Sequence, residues 1–209
     1  MAAASAGRVT MKGGQSQGAR PWEGIEPIMA RSQLINQGNT RVSRRGKIVG
    51  NPAGVSVGMI EAGTRNNIIP EEAIMMGTIR TFDPELRKKI YQEISQIAKG
   101  VETDTGTSIK VEFDVGGFYP VTFNNIALGE RMKQSLIEAS NGNFAEISRR
   151  TGAEDFSYFS QEIPGLYIFL GVNDPDKMNQ AGNHSPYFTV NDEALDEGLR
   201  SLIYMTIDY

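Results

Sequence analysis

The sequence lacks cysteine altogether and has a single histidine in 209 residues. Without cysteine, neither a disulfide framework nor a thiolate metal site is available, which is typical of a cytoplasmic protein. Long apolar runs are absent too, because none approaches the ~18 residues of a membrane-spanning helix. An excess of positive charge is also missing, since 21 basic and 25 acidic residues give a net charge of −4. We therefore expect a cytoplasmic protein without a nucleic-acid or membrane partner.

The first half of the chain alternates between strand-like and helix-like patterns. Four segments with alternating apolar residues predict strands, at 8–12, 53–60, 73–82 and 109–115. Apolar residues at helical spacing predict a first helix over 25–38, and an Asp-Pro start predicts a second one over 83–102. The resulting β-α-β-β-α-β order is that of the ferredoxin-like fold, an antiparallel four-stranded sheet with both helices on one face. The fold class is therefore α/β, with a ferredoxin-like domain predicted over residues 7–115.

The second half, residues 116–209, combines helices with a few strands. Its predicted elements are a helix at 126–140, a strand at 144–149, a helix near 154–159, a strand at 166–171 and a helix at 191–207. The segment "LYIFLG" is apolar at every position, which is typical of a strand buried on both faces of a parallel sheet. Such a strand needs neighbours that this part of the chain does not supply. We therefore predict a partial α/β layer whose sheet is incomplete.

Five segments in sequence order carry a resemblance to a known family. They are "QGARPWEGIEPI", "NNIIPEEAIMMGTIRTFDPE", "GFYPVTFNN", "TGAEDFSYFSQEIPGLYIFLG" and "NHSPYF". From about Val9 to Tyr209 the chain resembles the aminoacylase/carboxypeptidase-type zinc amidohydrolases, in the hippurate hydrolase and indole-acetyl-amino-acid hydrolase branch. The resemblance implies a lid or dimerisation domain at 7–115 and the C-terminal segment of an α/β metallohydrolase catalytic domain at 116–209. It also implies that the N-terminal part, with most metal ligands, is missing, so we expect an enzyme impaired by truncation.

The resemblance implies roles for His184 and Gln17. The family's histidine in the "HSP" motif is a zinc ligand, which implies that role for His184 and implies zinc or another divalent metal as the cofactor. A hydrogen-bonded loop histidine is the alternative. Gln17 stands where the family has a catalytic histidine that reaches across a dimer into the partner's active site. An amide donates hydrogen bonds but does not exchange protons near neutral pH, so Gln17 predicts weakened catalysis or is a plain loop residue.

Three further residues point to a small-molecule carboxylate substrate. In the resembling family, the residues that match Asn67 and Arg80 bind the substrate carboxylate, and a guanidinium fork suits that group. The alternatives are a turn-stabilising asparagine and a surface ion pair. Gly152, in "TGAEDF", permits close approach of the backbone to a ligand, and the N–H groups that begin a helix after it would favour an anion.

A different chemistry is open at "GVSVG", residues 54–58, which matches the G-x-S-x-G motif. Ser56, an acid such as Asp155 or Asp174, and His184 follow the order of an α/β-hydrolase triad. That motif requires a strand, a sharp turn and then a helix. The surrounding pattern instead predicts a continuous strand with no helix after it, and an ordinary sheet serine is the alternative.

These observations predict a metal-dependent amidohydrolase that acts on the amide bonds of N-acyl amino acids. The alternatives are a non-catalytic dimerisation module and a serine carboxylesterase that uses Ser56. The strand at 53–60 is rich in small residues and carries no charge. Since an open edge strand needs a partner or protection, we expect a homodimer or a higher oligomer that pairs through it.

Overall fold

A computed structural model describes residues 1–45, 52–174, 176 and 180–209. The chain forms two compact units. Unit 1 comprises Met1–Thr122 and Arg149–Tyr158, and unit 2 comprises Phe123–Ser148 and Phe159–Tyr209.

Unit 1 is built around a four-stranded antiparallel sheet. Its long strands are β1 (Ala3–Lys12), β3 (Ala53–Ala62), β5 (Glu72–Thr81) and β6 (Ser108–Tyr119). Its helices are α1 (Pro27–Arg45) and α2 (Pro84–Thr105), and the short strands β2 (Ser16–Gln17) and β4 (Ile68–Ile69) pair with each other. The strand order β3-β5-β1-β6 confirms the α/β class and the ferredoxin-like arrangement predicted from the sequence.

The core of unit 1 lies between the sheet and its two helices. Its buried members are Val9, Met11, Ala30, Leu34, Ala73, Met75, Ile97, Ala98 and Val101. Side chains alternate along a strand, so the odd-numbered residues of β1 face the helices and the even-numbered ones face away. Arg80 pairs with Ala4 of β1 and therefore lies on the helix-free face of the sheet.

A hydrogen-bonded tyrosine links α2 to the sheet. The Tyr91 hydroxyl lies 2.6 Å from Ser5 Oγ on β1 and 2.6 Å from Asp114 Oδ1 on β6. Its ring stacks on Phe113, with 4.0 Å between the ring centroids. Burial, followed by the hydrogen bond to Asp114, raises the pKa of Tyr91 to about 12. The folded state therefore favours the neutral phenol.

Removal of the Tyr91 hydroxyl is expected to give a pH-dependent loss of stability. At pH 8, Tyr91→Phe should lower the free energy of unfolding by about 1–2 kcal/mol, because two hydrogen bonds are lost. The pKa of Tyr91 is raised in the folded state, so its contribution is present below pH 10 and is lost as the pH rises through about 12. Urea unfolding from pH 8 to pH 12 should show the gap between wild type and variant closing. A gap that stays constant over that range contradicts this role of Tyr91.

Unit 2 contains α3 (Ile126–Ala139), most of α4 (Phe156–Glu162) and α5 (Glu193–Ile207). These helices confirm the three that the sequence predicts in this half. The apolar residues of α5 do not form a buried stripe, however. Those that are at least 44% exposed are Leu195, Leu199, Leu202, Ile203 and Ile207. Among the residues described, no helix combines the length and the apolar character needed to cross a membrane.

The strands predicted at 144–149 and 166–171 are wrong. Within the described part of unit 2, no segment forms a strand. The Asn124 side chain satisfies the backbone of Tyr167, since its Oδ1 accepts from the N–H at 2.8 Å and its Nδ2 donates to the carbonyl at 2.9 Å. Phe169 is 51% exposed, so the apolar segment is not buried on both faces. The partial α/β layer expected over 116–209 therefore contains helices without a sheet of its own.

Candidate functional site

Gln17 and Asn67 lie side by side in an exposed projection of unit 1. This projection, called the tip below, comprises residues 15–24 and 63–67. β2 and β4 pair so that Gln17 is opposite Ile68, and the Gly18 N–H donates to the Asn67 carbonyl at 2.8 Å. Both side chains are exposed, and neither forms a hydrogen bond or ion pair with any residue that the structure describes. Two free amides are thus available at the tip to a carbonyl or carboxylate oxygen.

The tip is held in place by close contacts of its backbone. Gly14 and Ile25 exchange two backbone hydrogen bonds of 2.9 and 3.0 Å. A Cβ atom on Gly13 would lie 2.1 Å from the Ile25 carbonyl oxygen, and one on Gly24 would lie 2.8 Å from the Gly14 carbonyl oxygen. Glycine is therefore required at both positions, which explains why the loop is rich in it.

Arg80 lies at the opposite end of the sheet from the tip. It is eight residues along β5 from Glu72, which at ~3.3 Å per residue is about 26 Å. Asn67 precedes Glu72 and lies beyond that end of the strand. One small carboxylate therefore cannot contact Asn67 and Arg80 of the same chain. Within one copy, Asn67 and Arg80 are therefore too far apart to hold the same carboxylate, and their joint role stays a prediction.

The surroundings of Arg80 suit an anion. Its neighbours across the strands are the small residues Ala4 and Gly54, which leave room above the sheet. The guanidinium forms no hydrogen bond or ion pair within the described residues. Tyr119 pairs with Ala4 on the other side and so shares the helix-free face with Arg80. The sequence alone does not single out Tyr119, because only the register brings it into this row.

Gly152 lies at the same end of unit 1 as Arg80. The Ala2 N–H donates to the carbonyls of Arg150 and Gly152, both at 3.0 Å, and Ala2 lies two residues from the partner of Arg80. The helix predicted near 154–159 begins at Phe156, four residues after Gly152, so its first N–H groups do not lie directly beside Gly152. This segment brings its own backbone and the positive charge of Arg150 to the Arg80 end of the sheet.

His184 lies in an exposed turn of unit 2. The Ser185 N–H donates to the Gly182 carbonyl at 3.1 Å, and His184 has a φ of +73°, in the left-handed region. A residue other than glycine is strained in the left-handed region. Within the described ranges, no group of three or more histidine, cysteine, aspartate or glutamate residues is placed to hold a metal ion. Catalytic zinc uses about three protein ligands, so His184 does not form such a site with the described residues.

Two substitutions of His184 separate its backbone strain from its side-chain role. Both His184→Gly and His184→Ala remove the imidazole, but only glycine relieves the positive φ. We expect the glycine variant to be about 1 kcal/mol more stable than the alanine variant in urea unfolding. Equal stabilities would show that the turn does not hold residue 184 in the left-handed region.

Ser56 is an ordinary residue of an edge strand. It lies inside β3, which continues to Ala62, and the next element is β4 rather than a helix. Its φ is not among the positive values of the described non-glycine residues, which are those of Asp114, Asn141 and His184. The strand–turn–helix geometry of a nucleophile elbow is therefore not present at Ser56, and the serine carboxylesterase is not favoured.

The sequence of the chain matches a known protein family and several of its members. The sequence profile of peptidase family M20/M25/M40 matches residues 11–207. Thermostable carboxypeptidase 2 of Saccharolobus solfataricus is 32% identical over 209 residues, which are 100% of this chain and 52% of that protein. N-acetyldiaminopimelate deacetylase of Streptococcus thermophilus is 33% identical over 187 residues, which are 90% of this chain and 48% of that protein. The chain thus spans about half the length of these curated relatives.

Solved structures show the same fold. A dinuclear metal-binding peptidase of the M20 family from Bacillus subtilis, YXEP, has a TM-score of 0.70 and 25% identity, covering 100% of this chain and 51% of that one. A putative aminohydrolase from methicillin-resistant Staphylococcus aureus has a TM-score of 0.86 and 22% identity, covering 100% of this chain and 53% of that one. The likeness extends over both units of the chain.

Proposed function

Because this chain belongs to peptidase family M20/M25/M40, we propose that it takes part in hydrolysing the amide bond of N-acyl amino acids. The observation that carries the proposal is the free Arg80 guanidinium on the helix-free face, next to small residues and at the same end of unit 1 as Gly152. A guanidinium fork holds a carboxylate by two parallel hydrogen bonds, which fixes the orientation of the amide bond beside it. Relatives named as a carboxypeptidase and a deacetylase are consistent with such a substrate.

Binding of hippurate tests the role of Arg80. In a titration followed by NMR, the Arg80 Nε–Hε signal should shift. Arg80→Lys, which keeps the charge but loses the fork, should weaken binding about tenfold or more. Arg8→Lys is the matched control, because Arg8 lies on the same helix-free face of the sheet. Binding that is unchanged in Arg80→Lys would contradict the proposed carboxylate site.

A divalent metal, with His184 as one of its ligands, is part of this proposal. The support is the match to the family and the description of the Bacillus subtilis relative as dinuclear metal-binding. The residues that the structure describes do not complete a ligand set with His184. Their own contribution is therefore the binding and orientation of the substrate.

The 209-residue chain by itself is expected to retain little zinc and to hydrolyse hippurate slowly or not at all. One imidazole binds zinc weakly, because catalytic sites depend on about three protein ligands acting together. Metal analysis after gel filtration and a hippurate assay with and without chelator measure both properties. Near-stoichiometric zinc together with chelator-sensitive turnover would contradict this expectation.

We also propose that the protein is a homodimer joined through β3. The sheet order leaves β3 and β6 at the two edges. β6 carries Lys110, Glu112 and Asp114, and such charges protect an edge strand. β3 carries no charge before Glu61, and its Val57, Met59 and Ile60 are each at least 38% exposed. Pairing with a second β3 covers this apolar edge.

In a two-fold pairing of β3, the tip of one copy and Arg80 of the other copy lie at the same end of the joined sheet. Two antiparallel β3 strands place the Ala62 end of one copy beside the Ala53 end of the other. The tip of one copy then lies towards the partner's Arg80. Across the proposed pairing, the β5 strands of the two copies are separated by three strand spacings, or about 14 Å. Within one copy, the two ends of β5 are about 26 Å apart. In this proposal the Gln17 amide donates a hydrogen bond to the carbonyl of a substrate held by the partner.

A further inference from the structure

An apolar cavity of about 70 Å³ lies between α1 and the sheet of unit 1. Gly7 and Gly77, opposite each other on β1 and β5, border it from the sheet, and Gly38 borders it from α1. Buried core side chains complete its walls, among them Val9, Leu34, Met75 and Ile79. None of the described residues that line the cavity carries a charge. Its chemistry therefore differs from that of the Arg80 site on the helix-free face of the sheet.

The space is open because a glycine interrupts the apolar stripe of α1. Ala30 and Leu34 are buried against the sheet, and Gly38 follows four residues after Leu34 on the same side of the helix. A Cβ atom on Gly38 would meet no atom within 4 Å. A larger residue at position 38 would thus continue the stripe and extend into the cavity.

The size and the lining of the cavity favour a small apolar ligand over water. Native interiors hold few voids larger than one water molecule, whose share of liquid volume is about 30 Å³. A buried water needs about two to four polar partners, whereas a cavity of ~150 Å³ lined by apolar side chains stays dry and binds benzene or xenon. The cavity in unit 1 has about half that volume, so a short alkyl chain suits it better than a ring.

The cavity reaches the surface between α1 and β3. Two of its lining residues, Asn39 on α1 and Val57 on β3, are exposed, Val57 by 39%. The amide of Asn39 donates and accepts hydrogen bonds, so it suits a neutral polar group at the mouth. A carboxylate at the mouth would lose water without meeting a positive charge among the described lining residues, which disfavours it.

We propose that this cavity binds a short, unbranched aliphatic molecule with a neutral polar end, such as a primary alcohol. The alkyl chain enters between α1 and the sheet, and the polar end stays beside Asn39. Burial of each further methylene group corresponds to about a fourfold gain in affinity. Affinity should therefore rise by about that factor per carbon from ethanol to 1-butanol and stop rising once the cavity is full.

A series of alcohols tests the site on the intact chain. Binding of ethanol, 1-propanol, 1-butanol and 1-hexanol is followed by NMR through the methyl signals of Val9 and Leu34. Butyrate is the matched ligand control, because it has the chain length of 1-butanol but carries a charge, and it should bind about tenfold more weakly or worse.

Two substitutions of Gly38 locate the binding in the cavity. Gly38→Leu fills the space and should abolish the binding of 1-butanol, and Gly38→Ala, which adds one carbon, should weaken it about fourfold. Gly100→Leu is the matched control, because Gly100 is an exposed residue of α2 whose Cβ atom would also meet no atom within 4 Å. It should leave the binding unchanged.

The outcomes decide whether the alcohol occupies this cavity. Saturable shifts that strengthen with chain length, weaken in both Gly38 variants and persist in Gly100→Leu support the inference. Equal binding by the Gly38 and Gly100 variants, affinity independent of chain length, or butyrate binding as tight as that of 1-butanol would overturn it. Arg80→Lys should not alter the binding of 1-butanol, because Arg80 lies on the other face of the sheet. Failure of the proposed carboxylate site would therefore leave this inference standing.

Discussion

Gly77→Ala is expected to lower the free energy of unfolding of unit 1 by about 3 kcal/mol, or the melting temperature by about 10 °C. A Cβ atom at Gly77 would lie 2.4 Å from the carbonyl oxygen of Ser56 and 3.3 Å from Val57 Cα. Both are backbone atoms of β3, where the register with β5 shifts between Val57 and Met59. Backbone cannot move aside as a flexible side chain does, so β3 has to separate from β5.

Gly7→Ala is the matched control for Gly77→Ala, since Gly7 is directly opposite Gly77 on β1. A Cβ atom there would meet only the Glu112 carbonyl oxygen at 3.7 Å and Phe113 Cδ1 at 4.0 Å, which are ordinary contacts. Both glycines border an apolar cavity of about 70 Å³. Gly7→Ala should be neutral or stabilise by up to about 1 kcal/mol. Urea unfolding measures both variants, and equal losses would contradict the proposed packing of β3 against β5.

Ser56→Lys is expected to weaken the proposed dimer about 100-fold. Ser56 is exposed, near the middle of β3, and a two-fold axis there brings the two substituted side chains close together. Like charges opposite each other in an interface cost several kcal/mol. Analytical ultracentrifugation over a range of concentrations should show dimers of the unaltered chain and monomers of the variant.

Gln96→Lys controls for the added charge, because Gln96 is an exposed residue of α2, away from the sheet edge. It should leave the dimer intact. A monomeric unaltered chain at micromolar concentration, or equal dissociation of both variants, would contradict pairing through β3. Ser56→Ala should leave the dimer unchanged, because it adds no charge to β3.

Local signals in the sequence specify much of unit 1. The start of α2 follows from Asp83, whose carboxylate accepts from the Glu85 and Leu86 N–H groups at 2.8 and 3.2 Å. The end of β6 was less predictable. The strand passes through Gly116 and Gly117, with φ values of 79° and 100°, and resumes pairing beyond them. The pair of glycines indicates a turn, yet in this strand it permits an irregularity that brings Tyr119 into the row of Arg80.

The parts that could not be predicted depend on long-range pairing. The separation of Asn67 from Arg80, by contrast, follows from the length of β5 alone. The apolar segment at 166–171 has the pattern of a buried strand. The backbone N–H and carbonyl of Tyr167 nevertheless form hydrogen bonds with the Asn124 side chain and not with a neighbouring strand. The sequence does not predict the positive φ of His184, because turn positions with a positive φ favour glycine.

The claim that two copies form each substrate site is tested most directly by a distance between copies. The chain has no cysteine, so Thr64→Cys in the tip is a unique position for a nitroxide label. Labelled chains are mixed with unlabelled, nitrogen-15-enriched chains, and paramagnetic broadening is read only on the partner. We predict broadening of the Gly54 and Arg80 amides. Broadening at Lys110 and Glu112 of β6, or no broadening in the sheet, would contradict a substrate site shared between two copies.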